Sequence, residues 1–219
     1  MSPAGAFIVF EGIDGSGTTT QAERLASRLR DEGRAAHLTR EPSDGPIGVM
    51  IRQALRRRLV VPTPEGGRAP GMETMALLFA ADRMDHLECE ILPRLERGEI
   101  VLCDRYLYSS LAYQSATGDR AKSDDETIAW LLELNRFARV PDLVLLFDVS
   151  ASEAGRRRAI RGADDELFEI DSLQARIAEA YSALPERMKG VPFARIDASK
   201  ALDEVERSIA EALKARGLG

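Results

Sequence analysis

A continuous apolar run leading straight into a glycine-rich loop and then a helix constrains this chain more than any other stretch. Phe7-Ile8-Val9-Phe10 has the pattern of a strand buried on both faces. Gly12-Ile13-Asp14-Gly15-Ser16-Gly17-Thr18-Thr19-Thr20 follows, and after it Ala22, Leu25, Ala26 and Leu29 repeat at helical spacing up to a stop signal at Gly33. Such a loop lets backbone amides wrap closely around a phosphate, and the helix N-terminus behind it adds a positive dipole. Gly12, Gly15, Ser16, Gly17, Thr18, Thr19 and Thr20 are therefore candidate triphosphate-binding positions, with the Thr19 hydroxyl offered to Mg²⁺. The spacing matches G-x-x-x-x-G-K-[ST] everywhere except at the lysine, which is Thr18. A strand-to-helix turn without a ligand is the alternative. The missing charge is large: a unit charge about 4 Å from a phosphate oxygen is worth roughly 4 kcal/mol at an effective dielectric of about 20.

Further apolar runs lie at Ala35 to Thr39, Ile100 to Cys103, Leu143 to Val149 and Phe193 to Ile196, with segments of helical period between them. Parallel neighbours need crossover connections, so the expected fold is a three-layer α/β architecture, a parallel sheet of about five strands with helices on both faces. At 219 residues one domain, 1–219, is expected. Arg56 to Gly71 holds three prolines and three glycines with no period and reads as a surface excursion. Thr117 to Asp125 reads as a connection between two helices, and residues 153–170 as an exposed flap, or lid, at a helix end.

Thirty Lys and Arg against 36 Asp and Glu give a formal charge of −6, which argues against nucleic acid as a partner and requires any anion site to be a local cluster of positive groups. Cys89 and Cys103 form no disulfide framework and lack partners at metal-ligand spacing; they read as buried apolar thiols of a reduced, cytoplasmic chain without a leader segment. No apolar run approaches the length that spans a bilayer.

Asp104-Arg105 and Arg40-Glu41 each follow a predicted strand, and open α/β sheets bind ligands at the carboxyl ends of their strands. A carboxylate and a guanidinium there can hold a metal hydrate and a phosphate side by side; a structural salt bridge is the plainer alternative. In the helix predicted from Met72, the residues Leu77, Ala80, Met84, Leu87 and Ile91 form one face, expected to be buried. Phe79 and Arg83 fall one turn apart on the other, polar side with His86 and Glu90, an aromatic platform and an edge reader for a base or an ordinary surface pair. His37 and His86 read as surface or structural, and Trp130 with Leu131, Leu132 and Leu134 as core or a subunit interface.

Taken in order, FEGIDGSGTTTQ (Phe10 to Gln21), TREP (Thr39 to Pro42), GPIGVMIR (Gly45 to Arg52), LLFAADRMDHLE (Leu77 to Glu88), DRYLYSSLAYQ (Asp104 to Gln114) and DLVLLFDV (Asp142 to Val149) resemble the thymidylate kinase (dTMP kinase) family. The resemblance runs to about residue 185. It implies a P-loop kinase fold, transfer of the ATP γ-phosphoryl group to dTMP with Mg²⁺, and a homodimer. It further implies that Arg40 and Arg105 hold the acceptor phosphate and that Asp14 contacts the sugar 3′-hydroxyl. Phe79 would stack on thymine, Arg83 would bond its edge, Asp104 would support the metal, and Tyr106, Ser109, Tyr113 and Gln114 would line the acceptor pocket. Thr18 departs from the family pattern, as does Leu167 where an arginine is frequent. Arg157 and Arg161, an i,i+4 pair, are the candidates to close over the ATP phosphates in compensation; a solvated basic face is the alternative. A nucleotide-binding homologue that has lost catalysis, and a kinase for another pyrimidine nucleotide such as dUMP, are the competing readings.

Overall fold

The computed structural model describes residues 5–64, 66–117, 124–161 and 171–219. In chain order the elements are β1 (Ala6–Gly12), α1 (Thr18–Asp31), β2 (Ala36–Arg40), α2 (Pro46–Leu55), β3 (Val61–Thr63), β4 (Gly66–Arg68), α3 (Met72–His86), a π-helical turn (Leu87–Ile91), α4 (Leu92–Glu96) and β5 (Ile100–Asp104). They continue with α5 (Leu107–Thr117), α6 (Asp124–Leu134), β6 (Leu143–Asp148), α7 (Ala151–Arg161), α8 (Asp171–Arg187), β7 (Phe193–Asp197) and α9 (Leu202–Ala215).

Five strands form one sheet in the order β2-β5-β1-β6-β7, all parallel. β1 lies at its centre and is buried from Phe7 onward, because it is paired on both edges and packed against helices such as α1 and α5. That accounts for its unbroken apolar run. The chain leaves β1 toward β2, returns through β5 beside β1, and only then crosses to β6 on the other side. Strand order therefore reverses at β1, where doubly wound sheets open a crevice. Register sets the site: Phe10 and Arg40 both lie opposite Asp104, so β1, β5 and β2 reach their carboxyl ends at one level.

Three expectations need correction. The Arg56 to Gly71 excursion contains a two-stranded ribbon, β3 and β4, closed by a hydrogen bond from Thr63 Oγ1 to Gly66 O of 2.6 Å. Its Pro and Gly content concealed it, since a lone ribbon uses so few ladder bonds that Pro62 is tolerated. Cys89 is exposed, on the π-helical turn, with its thiol 3.7 Å from Asp85 Oδ1; Cys103 is buried as expected. The buried face of α3 holds Met75, Ala76, Ala80, Asp82, Arg83 and His86, whereas Leu77 is 53% exposed. Polar partners waiting on the inner side, described below, outweigh the apolar periodicity there.

The π-helical turn has a local cause. Pro93 has no N–H to give the carbonyl four residues back and its ring crowds that carbonyl, so the helix widens just before it. Trp130 packs against the main core and Leu131 is buried in it. Residues 118–123, most of the predicted connection between helices, and 162–170, the second half of the predicted lid, lie outside the described residues. Among the described residues no helix is long and apolar enough to cross a membrane.

Leu145 sits on β6 with no exposed surface. Leu145→Ala is expected to destabilise the fold by about 3 kcal/mol through lost burial and a residual cavity, read as a lower urea midpoint at unchanged m-value.

Candidate active site

The loop after β1 turns through left-handed backbone at Gly15 (φ 90°) and Gly17 (φ 95°), and α1 starts at Thr18 with no side chain capping its first amides. Uncapped amides at a helix start are open to an anion. Thr18, at the lysine position, is buried, and Thr20 is exposed. The hydroxyl of Thr19 donates to Asp104 Oδ2 at the end of β5.

Asp104 Oδ1 is buried and has no hydrogen-bond partner among the described residues. Magnesium is typically held by one or two carboxylates together with substrate phosphates and water, so Thr19 and Asp104 form a donor set that fits it. No cluster of three or more His, Cys, Asp or Glu residues suited to a metal is present among the described residues.

Arg105 is the next residue, and its backbone is left-handed at φ 72°. Its N–H donates to Phe10 O (2.9 Å), continuing the β5 to β1 ladder past the strand end. Its guanidinium then reaches across the loop, donating from Nη2 to Asp14 Oδ1 (2.6 Å) and from Nη1 to Gly12 O (3.0 Å), with its carbon 5.3 Å from the centre of the Tyr113 ring. Asp14 also accepts from Tyr113 OH (2.8 Å) and Gln174 Nε2 (2.9 Å). Burial pushes the Tyr113 phenol far above its ordinary value, so it stays protonated and donates.

The polar partners that override the α3 pattern come from β2 and the segment after it, from α5 and from the residue after α6. Arg83 Nη2 donates to Glu41 Oε2 (2.7 Å) and Ser110 Oγ (3.1 Å), and Nη1 to Asn135 Oδ1 (2.5 Å), with both charged side chains almost wholly buried. His86 Nε2 meets Thr39 Oγ1 at 2.8 Å, which supports its structural reading. Asp82 accepts from the backbone N–H (2.8 Å) and hydroxyl (2.6 Å) of Ser43, fixing the segment after Pro42; burial raises its pKa. Arg40 is mostly exposed at the rim, its Nη2 3.1 Å from Asp44 Oδ1.

One cavity of about 220 Å³ collects these groups. Asp14, Arg40, Phe79, Arg83, Arg105, Tyr106, Ser109, Tyr113 and Gln114, all nine residues expected at an acceptor, border it together with Asp104, Glu41, Pro42, Leu55 and Ser110. Arg83 Nε, Gln114 Oε1 and Tyr106 OH are buried and without partners among the described residues. On the other side of the loop a cleft of about 370 Å³ is bordered by Gly15, Ser16, Gly17, Thr20, Gln21 and Arg157, with Phe147, Ile160, Ala198, Lys200, Leu202 and Val205. Arg157 donates from Nε to Glu153 Oε1 (2.8 Å). The Arg161 side chain and Leu167 lie outside the described residues.

Glu11, Gln174 and Arg158 are parts of the site that the sequence reading did not name as such. Glu11 lies beneath the cavity, its Oε1 accepting the N–H groups of Tyr106 (2.9 Å) and Ser109 (3.1 Å) and its Oε2 the hydroxyls of Ser109 (2.6 Å) and Tyr181 (2.9 Å). Burial raises its pKa to about 7 despite the opposing pull of Ser109, Arg105, Tyr181 and Tyr106. A charged residue inside a fully buried strand was the available signal for it. Gln174 stands on a helix remote in sequence and had none, whereas Arg158 belongs to the arginine run of the expected flap, and packing alone decides which of that run meets the loop.

A carboxyl whose pKa is raised in the folded state binds its proton before the unfolded chain does, so Glu11 makes stability fall as pH rises from about 4.5 to about 7. The full effect is about 3 kcal/mol. Glu11→Gln is expected to flatten this slope, gaining stability relative to the parent at pH 7.5 compared with pH 5 in urea titrations.

Residues 10–209 match the family described as thymidylate kinase. A probable thymidylate kinase of Pyrococcus abyssi is 40% identical over 215 residues, 98% of each chain, and one of Pyrococcus horikoshii 41% identical with the same coverage. A solved thymidylate kinase of Candida albicans superposes with a TM-score of 0.81 at 25% identity, covering 100% of this chain and 95% of that one. The chain belongs to the thymidylate kinase family.

Proposed function

We propose that this chain transfers the terminal phosphoryl group of ATP to dTMP, giving dTDP and ADP. The observation that carries the reading is a cleft and a cavity that both border the loop after β1, with the Asp14 and Arg105 ion pair holding that loop against the cavity. Loop amides and the start of α1 hold the donor phosphates, and Arg157 borders the same cleft. The acceptor phosphate lies toward Arg105 and Arg40, and the Asp14 carboxylate, held from three sides, takes the sugar hydroxyl. Phe79 supplies the stacking platform.

The three orphaned polar groups support a pyrimidine. Arg83 Nε is a donor suited to a ring carbonyl and Gln114 Oε1 an acceptor suited to a ring N–H, and buried polar atoms without partners are rare unless a ligand completes them. Thymine presents both a carbonyl and an N–H on one edge.

In the reaction an oxygen of the dTMP phosphate attacks the γ-phosphorus as the bond to ADP breaks, which requires in-line placement and neutralised charge rather than a covalent nucleophile. Arg105 links the donor loop to the acceptor cavity and so sets the distance between them. Thr19 and Asp104 would hold Mg²⁺ together with the phosphates, and the ion would supply charge neutralisation to the transferring group. A homodimeric, cytoplasmic enzyme, with a lid over residues 153–170 of which α7 forms the first part, completes the reading.

Measurement separates dTMP from the alternative acceptors, such as dUMP. ADP release with ATP and Mg²⁺ against dTMP, dUMP, UMP, dCMP and thymidine is expected to be fastest with dTMP. Arg105→Ala is expected to lower kcat by about a hundredfold or more. Nucleotide binding with no ADP release for any acceptor would instead establish a non-catalytic homologue.

A further inference from the structure

We propose that Asn135 is a positioning residue for base recognition: through Arg83 it sets the preference for an acceptor base that presents a ring carbonyl over one that presents an amino group. The inference rests on the acceptor reading of the cavity that Arg83 borders.

Asn135 is the first residue after α6, is 4% exposed, and does not itself border that cavity. Its surroundings decide which way its amide faces. Nδ2 donates to Leu131 O (2.8 Å), a carbonyl in the last turn of α6 that can only accept. The NH₂ end is thereby turned back onto its own helix, and Oδ1 is left as an acceptor for another group. Arg83 Nη1 donates to it at 2.5 Å.

Asn135, Glu41, Ser110 and the Tyr106 ring together hold the Arg83 guanidinium. Asn135 takes Nη1, Glu41 and Ser110 take Nη2 at 2.7 and 3.1 Å, and the Tyr106 ring centre lies 5.1 Å from the guanidinium carbon. Both terminal nitrogens are therefore tied to the protein, and Nε is without a partner among the described residues. A guanidinium is planar and rigid, so fixing its terminal nitrogens fixes the direction of the Nε–H. That donor suits a carbonyl, and Gln114 Oε1 on the same cavity suits a ring N–H. Thymine and uracil offer this pair; cytosine reverses it, with an amino group beside a ring nitrogen that has no proton. Glu41 carries the counter-charge, and both it and Ser110 border the cavity. Asn135 is neutral and stands behind them, so its loss leaves the buried ion pair in place while Nη1 is released and the Nε–H loses its direction.

Asn135→Ala, Asn135→Leu and Asn135→Asp are compared with the parent, each checked for folding by thermal melting. Turnover with ATP and Mg²⁺ gives kcat and KM for dTMP and dUMP, and dCMP is measured both as a substrate and as a competitor of dTMP. Asn135→Ala is expected to raise KM for dTMP and dUMP together by about tenfold, with KM for ATP and the inhibition constant of dCMP changed less than about twofold. The preference for dTMP over dCMP falls by the same factor. Asn135→Asp keeps an acceptor for Nη1 and loses the amide donor to Leu131, so its KM for dTMP is expected within about threefold of the parent even where its melting temperature falls. A residue that only closes the end of α6 would lower the melting temperature in all three variants and leave the base preference unmoved. The proposal is overturned by a folded Asn135→Ala, or, if that variant does not fold, a folded Asn135→Leu, whose preference for dTMP over dCMP lies within about twofold of the parent's. It is overturned equally by Asn135→Asp losing as much preference as Asn135→Ala. A parent that binds ADP but none of the three monophosphates would remove the acceptor reading and this inference together.

Discussion

The ion pair between Arg105 and Asp14 is the interaction on which the site depends. It joins the loop after β1 to the end of β5 across the carboxyl edge of the sheet, at a separation of 2.6 Å. Arg105 reaches it only by adopting a left-handed backbone, a conformation that costs a side-chain-bearing residue about 1–3 kcal/mol. The surroundings hold it there: the hydrogen bond to Phe10 O secures its backbone, and Gly12 O, Asp14 and the Tyr113 ring secure its guanidinium. The loop and the cavity beside it thereby share one rigid member.

Beneath that member lies Glu11. A buried carboxyl on the central strand binds two backbone amides at the start of α5 and two hydroxyls, one of them from Tyr181 on α8. It ties sheet, α5 and α8 at one point, directly under Ser109 and Arg105. The site's floor is consequently polar although its sheet is apolar, and the polar groups are matched to each other rather than to water.

Much of this was legible in the sequence because it is local. A strand, its loop and the following helix are contiguous, and apolar runs such as Leu143 to Val149 end within a residue or two of the observed strands. Asp104 and Arg105 were identifiable as site residues by following such a run. What escaped was set by tertiary partners. Hydropathy assigned the inner face of α3 to Leu77, but Glu41 and Asn135 supply Arg83 with charge and acceptors that no window around position 83 contains. Gln174 and Arg158 reach Asp14 from 160 and 144 residues away, and only the packing of α7 and α8 reveals them.

The wide turn at Leu87–Ile91 has a geometric role in reconciling the two jobs of its helix. At about 100° per residue an unbroken helix would carry Leu95 some 120° round from Arg83, so a helix that pointed one at the cavity beside β5 would swing the other away from the sheet. One surplus residue in a turn takes back roughly one residue's rotation. Arg83, Leu87, Ile91 and Leu95 are all buried as a result. The bulge works as a gear between binding and folding, and trimming a single residue from it would leave the protein to choose between them.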